Sequence, residues 1–316
     1  MSHEVETMAY AGETPWHGLG KAVPADLSPE QMLETAGLDW EVEKKPLYYF
    51  DDDGETVYHA PGKQALVRNS DGAVLDMVGD DWNPLQNSEA FEFFNDFVVA
   101  GGMRMHTAGS LFGGRRVWAL AQIDEPFEIF KGDVIEPYLL FSNPHQYGKS
   151  IDVRTTQIRV VCNNTLTLSL GKEVDRGIRV GHRAKFDSDK VKMALGVIRQ
   201  QSETYKNAGV FLGSKKAKRE SVTEYFDRLF PLATNKNHKE KKYSRAAVTS
   251  GEILHTQPGA KYGAGTWWEC FNAVTYMSDH VLGRNPDNRL ESAWFGPRAN
   301  LKQEALALAI EYAEAA

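Results

Sequence analysis

Along the first half of this chain, apolar positions fall in short runs separated by turn residues, and along the second half they recur at helical spacing. Residues 40–50 and 56–59 read as strands joined through the turn Asp51-Asp52-Asp53-Gly54, and Pro61-Gly62 interrupts the pattern. Residues 65–67 and 74–78 bracket Asn69-Ser70-Asp71-Gly72, a strong hairpin signal. Further strands are predicted over 115–123, 134–141 and 152–162, with a short one near 178–180. Helices begin where capping residues meet an apolar stripe. Ser28-Pro29-Glu30-Gln31 forms a capping box for a helix that runs to Ala36 and stops at Gly37. Asn87-Ser88 opens a helix with Phe91, Phe94, Phe97 and Val98 on one face.

A further helix starts around Asp187, with Val191, Ala194, Leu195 and Ile198 at helical spacing. Ser221-Val222-Thr223-Glu224 reads as a capping box for a short helix that ends before Pro231. Residues 233–246 read as an exposed loop, 265–276 as a buried helix, and 298–315 as a last, alanine-rich helix. The predicted class is α+β, an antiparallel β-meander packed by helices (a β-β-β-α core) with a helical C-terminal part. Three regions follow, 1–110, 111–232 and 233–316, either separate or within one domain.

One predicted strand departs from the alternation expected of a packing strand. Arg154-Thr155-Thr156-Gln157-Ile158-Arg159 carries two arginines among hydroxyl and amide side chains, and the run continues through Val160-Val161-Cys162 to an Asn163-Asn164-Thr165 corner. Period two puts Arg154, Thr156 and Ile158 on one face and Thr155, Gln157 and Arg159 on the other, so each face carries a guanidinium.

Charge sharpens the interest of this segment. The net charge is −7, yet residues 151–220 hold 15 Lys and Arg against 7 Asp and Glu, whereas residues 1–150 hold 10 against 25. A patch of this kind binds polyanions even on an acidic protein. No apolar run approaches the roughly 20 residues that span a bilayer. The acidic N-terminus is unlike a secretory or transit signal, and two cysteines suit a reducing cytosol, so the expected location is cytoplasmic.

Enzyme signatures are sparse. Gly18-Leu19-Gly20-Lys21 resembles a phosphate loop, but Pro15 stands where the upstream Gly belongs and Ala22 follows the Lys. No Gly-x-Gly-x-x-Gly follows a strand, and the histidines show no metal-ligand spacing. Cys162 reads as a packed thiol, His17 as a backbone-capping side chain, and the acidic clusters at 51–53 and 80–81 as hairpin loops. No cofactor, metal or catalytic residue is assigned. The residues expected to contact phosphates are Arg154, Arg159, Arg183 and Lys185, with Lys215, Lys216, Lys218 and Arg219 as auxiliary contacts.

Pro15-Trp16-His17-Gly18-Leu19-Gly20, Ile158 to Leu166, and Gly265-Thr266-Trp267-Trp268 with Phe271-Asn272-Ala273-Val274-Thr275 together resemble a family of phage- and plasmid-borne proteins. That family is known chiefly as a domain of unknown function, and the resemblance implies a mobile-element origin and a bacterial cytoplasm. The β-β-β-α order over residues 115–201 also resembles the core of Rad-type single-strand annealing recombinases, a likeness of topology that transfers no binding residue. The expectation is a phage- or plasmid-encoded protein, non-enzymatic, that binds single-stranded nucleic acid, promotes annealing and forms homo-oligomers. The alternatives are a protein-interaction or assembly module and, third, a nuclease-like enzyme with a dispersed acidic site.

Overall fold

The computed structural model describes residues 4–12, 18–99, 102–159, 164–167, 178–183, 186–187, 189, 197–232, 243–283 and 289–316. The protein has an α+β fold with a helical C-terminal part. It forms two compact units that interleave along the chain. One comprises Met1–Asp124, Tyr138–Arg154 and Gly177–Gly196, the other Glu125–Pro137, Thr155–Arg176 and Val197–Ala316.

The first unit opens with β1 (Val5–Ala11), β2 (Lys21–Val23) and α1 (Pro29–Thr35). The capping box expected at Ser28 is present: its hydroxyl accepts from Gln31 N at 3.1 Å, and the Gln31 side chain accepts from Ser28 N at 2.9 Å. Gly37, at φ +67°, lets the chain leave the helix. A three-stranded antiparallel sheet follows, β3 (Val42–Phe50), β4 (Val57–Arg68) and β5 (Val74–Val78). Pro61-Gly62 does not end β4. The pair is absorbed where the register shifts between Pro46↔Gln64 and Tyr48↔His59, and Gly62 adopts φ +74°.

Two short helices, α2 (Asn87–Glu92) and α3 (Asn95–Val99), take the place of the single predicted helix and lead into β6 (Met103–Leu111) and β7 (Arg116–Ile123). Phe91, Phe93 and Phe94 are buried, and the Phe93 and Phe94 rings each lie within 6.0 Å of the Phe141 ring. β1 and β6 lie outside the elements predicted from sequence because their polar residues hide the apolar period. Those residues are partnered: Glu6 accepts from Arg68 at 2.9 Å and from Ser110 at 2.9 Å. Gly109 lets β1 approach β6, since a Cβ there would stand 2.5 Å from the Thr7 carbonyl oxygen.

After β8 (Phe127–Glu128) come β9 (Val134–Pro144), β10 (Ile151–Arg159), β11 (Asn164–Thr167) and β12 (Ile178–Val180). The strands run in the order β11-β10-β9-β7-β6-β1-β2, so the three strands expected as a meander, β7, β9 and β10, are neighbours. In the first unit β12 pairs with the start of β10, Ile151↔Val180. In the second, β11 pairs with its end, Gln157↔Leu166, and β8 pairs with the start of β9.

The second unit is built on helices: α4 (Val197–Ser214), α5 (Arg219–Leu229), α6 (Arg245–Ile253), α7 (Trp267–Tyr276), α8 (Arg289–Phe295) and α9 (Pro297–Glu314). α7 is apolar nearly all round and forms the centre of the core, with Trp267, Trp268, Phe271 and Val274 buried. The Trp268 indole donates to the buried Asp133 carboxylate at 2.9 Å. Gly209 and Gly213 of α4 give room to Ile129 and Phe130. α5 starts two residues before the predicted capping box at Ser221, with Lys218 at its N-cap. α6 begins at 245, inside the predicted loop 233–246, because the Ser244 hydroxyl accepts from Ala247 N at 3.1 Å. Residues 233–242 of that loop lie outside the described residues. Among the described residues, no helix is long and apolar enough to cross a membrane.

Candidate functional site

The strip Lys215-Lys216-Ala217-Lys218-Arg219 links α4 to α5. A short antiparallel bridge holds it in place, with Ala217 N donating to Gly265 O at 3.0 Å and Trp267 N to Lys215 O at 3.1 Å. The bridge fixes the cationic strip beside the first turn of α7. Lys216, Lys218 and Arg219 are exposed, and the Lys215 ammonium lies 5.4 Å from the centroid of the Phe211 ring. Lys218 supplies no side-chain cap, so the first N–H groups of α5 have no side-chain oxygen from that position.

Arg219 also lines a cleft of about 590 Å³ between α5, α6 and the start of α7. Val222, Phe226, Val248 and Leu254 give it apolar walls, and Tyr243 and Thr223 add hydroxyls. This is the size and mixed character of a small-molecule or nucleotide site.

His255 and Glu269 line the same cleft. Glu269 is only 2% exposed, and Oε1 of its carboxylate lies 2.8 Å from Nδ1 of His255, whose side chain is 71% exposed. Oε2 accepts from Gly265 N at 2.7 Å, which ties the carboxylate to the loop that bridges the cationic strip. With Nδ1–H donated to the carboxylate, Nε2 is the ring nitrogen left to accept a proton or a ligand. A buried carboxylate that orients an exposed imidazole is the arrangement by which histidine serves as general base. Cys270, beside Glu269, is no nucleophile in waiting: burial pushes its thiol well up, and the neighbouring Glu269 adds to this.

The other residues expected from sequence to contact phosphates are placed elsewhere. Arg154 of β10 is 8% exposed, and its guanidinium donates to the Asp152 carboxylate. Burial lowers its pKa to about 10, with Arg179 and Arg116 contributing through charge repulsion. Residues 151–157 are buried throughout, so both faces of this strand are covered. Arg183 is exposed and pairs with Asp81 at 2.9 Å. Arg159 pairs through its backbone with Asn164, and its side chain, together with all of Lys185, His17 and Cys162, lies outside the described residues. Of the named basic residues whose side chains are described, Lys215, Lys216, Lys218 and Arg219 are thus the ones the fold gathers along one strip.

The acidic turn at 51–53 has a structural part, Asp53 accepting from Glu55 N at 2.8 Å. Among the described residues, no group of three His, Cys, Asp or Glu side chains is arranged to hold a metal ion. The His255–Glu269 pair had one legible signal in the sequence. A lone Glu inside the apolar run Trp267-Trp268-Glu269-Cys270-Phe271 must be partnered if it is buried. The partner, 14 residues upstream in an unremarkable loop, carried none.

No curated protein and no solved structure matches this chain. The family model described as "Domain of unknown function (DUF932)" matches residues 74–294, and the chain belongs to that family.

Proposed function

We propose that this chain binds single-stranded nucleic acid through the cationic strip Lys215–Arg219 and the cleft it borders. The observation that carries this is the junction of the two: Arg219 belongs to the strip and also lines a cleft with apolar walls. Lysines and arginines along one edge neutralise phosphates, while an aromatic and aliphatic hollow receives an unstacked base, which a duplex cannot offer. Tyr243, exposed in that hollow, is the ring placed to stack. A phage or plasmid origin, which rests on the resemblance in sequence, and a part in strand annealing, which rests on the likeness of predicted strand and helix order, belong to the same proposal. The test is fluorescence anisotropy with a labelled single-stranded oligonucleotide at several salt concentrations. Log affinity should fall linearly with log salt, by about 0.7 for each phosphate neutralised. Replacing Lys216, Lys218 and Arg219 together by Ala should reduce that slope by about 2. An unchanged slope, or no binding at low salt, defeats the proposal.

A role in protein docking is favoured by a different surface. Tyr48, Tyr49, Phe50, Val57 and Tyr58 of the β3–β4 hairpin are all exposed around an acidic turn. Light scattering at two salt concentrations tests for self-association through it.

A further inference from the structure

We infer that the cleft is also a catalytic site, in which His255 cleaves bound RNA by activating the 2′-hydroxyl of the substrate. The inference rests on the binding role proposed above and adds the substrate class and a reaction. Three observations converge. The imidazole is held by a buried carboxylate whose other oxygen is fixed by a backbone N–H, so Nε2 keeps one orientation toward a ligand. That imidazole lines a cleft large enough for a nucleotide. Arg219, a permanent cation, lines the same cleft beside the uncapped start of α5.

RNA is the class of phosphodiester that these groups suit. It carries its own nucleophile, so the protein need supply only a base and positive charge for the developing phosphorane. Nε2 of His255 takes the proton from the 2′-hydroxyl as the 2′-oxygen bonds to the adjacent phosphorus. The bond from phosphorus to the 5′-oxygen of the next nucleotide breaks, and that oxygen takes a proton from water at the open mouth of the cleft. The imidazolium then returns its proton to water. The products are a 2′,3′-cyclic phosphate and a 5′-hydroxyl, with no oxidant, reductant or added nucleophile. Arg219 stabilises the charge on the non-bridging oxygens. Glu269 is a positioning residue, since it acts through His255.

The experiment uses the full chain and three labelled oligonucleotides of one sequence: RNA, DNA, and RNA with every 2′-hydroxyl methylated. All three should bind, and only the unmodified RNA should be cut, leaving cyclic-phosphate ends identifiable by mass spectrometry. His255→Ala should lower the single-turnover cleavage rate, read at saturating protein so that all RNA is bound, by about 10²-fold or more. Added imidazole should restore part of that loss, a rescue that neither a folding defect nor a contaminating nuclease would show. Glu269→Gln should lower the same single-turnover rate at saturating protein, because the amide presents a donor to Nδ1 and favours the wrong tautomer. RNA that is bound yet stays intact, cleavage of the methylated RNA, or a His255→Ala protein as active as the parent each overturn the catalytic inference and leave the binding role standing. Failure of all three oligonucleotides to bind overturns the binding role itself, and this inference falls with it.

Discussion

Nδ1 of His255 lies 2.8 Å from Oε1 of Glu269, so one carboxylate at the base of α7 fixes an exposed imidazole and, through its second oxygen, the Gly265 amide. The carboxylate is therefore a local structural element as well as a positioning group. Glu269→Gln keeps an acceptor for Gly265 N and a hydrogen-bonding group for His255, and its cost in stability should stay within about 1 kcal/mol. Glu269→Leu leaves the Gly265 amide and the Nδ1–H with no partner at this position and should cost about 1–3 kcal/mol. Thermal unfolding followed by circular dichroism distinguishes them. Equal melting points for the two variants would show that neither hydrogen bond supports the fold.

Arg154 should behave as a structural residue. Its guanidinium is buried against Asp152, and Arg179 reaches the same carboxylate at 3.5 Å from a half-exposed position. Arg154→Ala removes the nearer partner of a buried charge, a change that costs about 3–5 kcal/mol when nothing compensates. Arg179 softens the loss, so the lower end of that range is expected. The salt slope of oligonucleotide binding should not change in the fraction that remains folded. A well-folded Arg154→Ala protein with a reduced salt slope would move the binding surface to β10.

The contrast between Arg154 and Lys216 shows what was legible in the sequence. Both belong to the only basic stretch of the chain, and composition cannot separate a guanidinium buried against its own strand neighbour from an ammonium on an exposed strip. Capping residues and turn residues act locally, which is why α1 and the Asn69–Gly72 turn fall where the pattern puts them. β1 and β6 escape because Glu6, Thr7 and Ser110 are polar residues satisfied by one another and by Arg68, a relation between positions 62 to 104 residues apart. α5 begins at Arg219, before the Ser221 capping box, because the bridge to Gly265 and Trp267 fixes the preceding backbone. The candidate site depends on that same long-range bridge. Its cationic strip was readable from composition, and its imidazole was not.

His145 predicts an acid-sensitive stability. It is fully buried, and Nε2 lies 3.0 Å from the Asn87 amide oxygen, to which the neutral ring donates. Burial lowers its pKa from 6.5 to about 3, with nearby His182 contributing. Below pH 6.5 the unfolded chain takes up a proton that the folded chain refuses, so stability is full at neutral pH and is lost as pH falls from 6.5 toward 3. The loss should reach about 2 kcal/mol at pH 5. Asp71, whose pKa is lowered to about 2 by Arg68, titrates below this window. Urea unfolding at pH 7.5 and pH 5.0 measures the difference; burial also lowers the pKa of His182, so His145→Gln should remove the share due to His145 and leave that due to His182. A parent protein equally stable at both values would mean that His145 titrates normally.

The Lys302–Asp279 pair tests whether the helical core needs its buried charges. Lys302 of α9 is fully buried, and its ammonium donates to Asp279 at 2.6 Å. Burial lowers the ammonium pKa, and attraction to Asp279 works in the opposite direction, so the partner keeps the charge in place. Removing one member takes the opposite charge from the buried other: Lys302→Met and Asp279→Leu should each cost about 3–5 kcal/mol. Replacing both by apolar side chains removes the desolvation cost together with the attraction. The double variant should therefore recover most of the loss and can equal the parent. Urea unfolding of the four proteins gives the coupling directly. Additive losses in the double variant would show that the two charges do not depend on each other, and that α9 docks on the core through its apolar contacts alone.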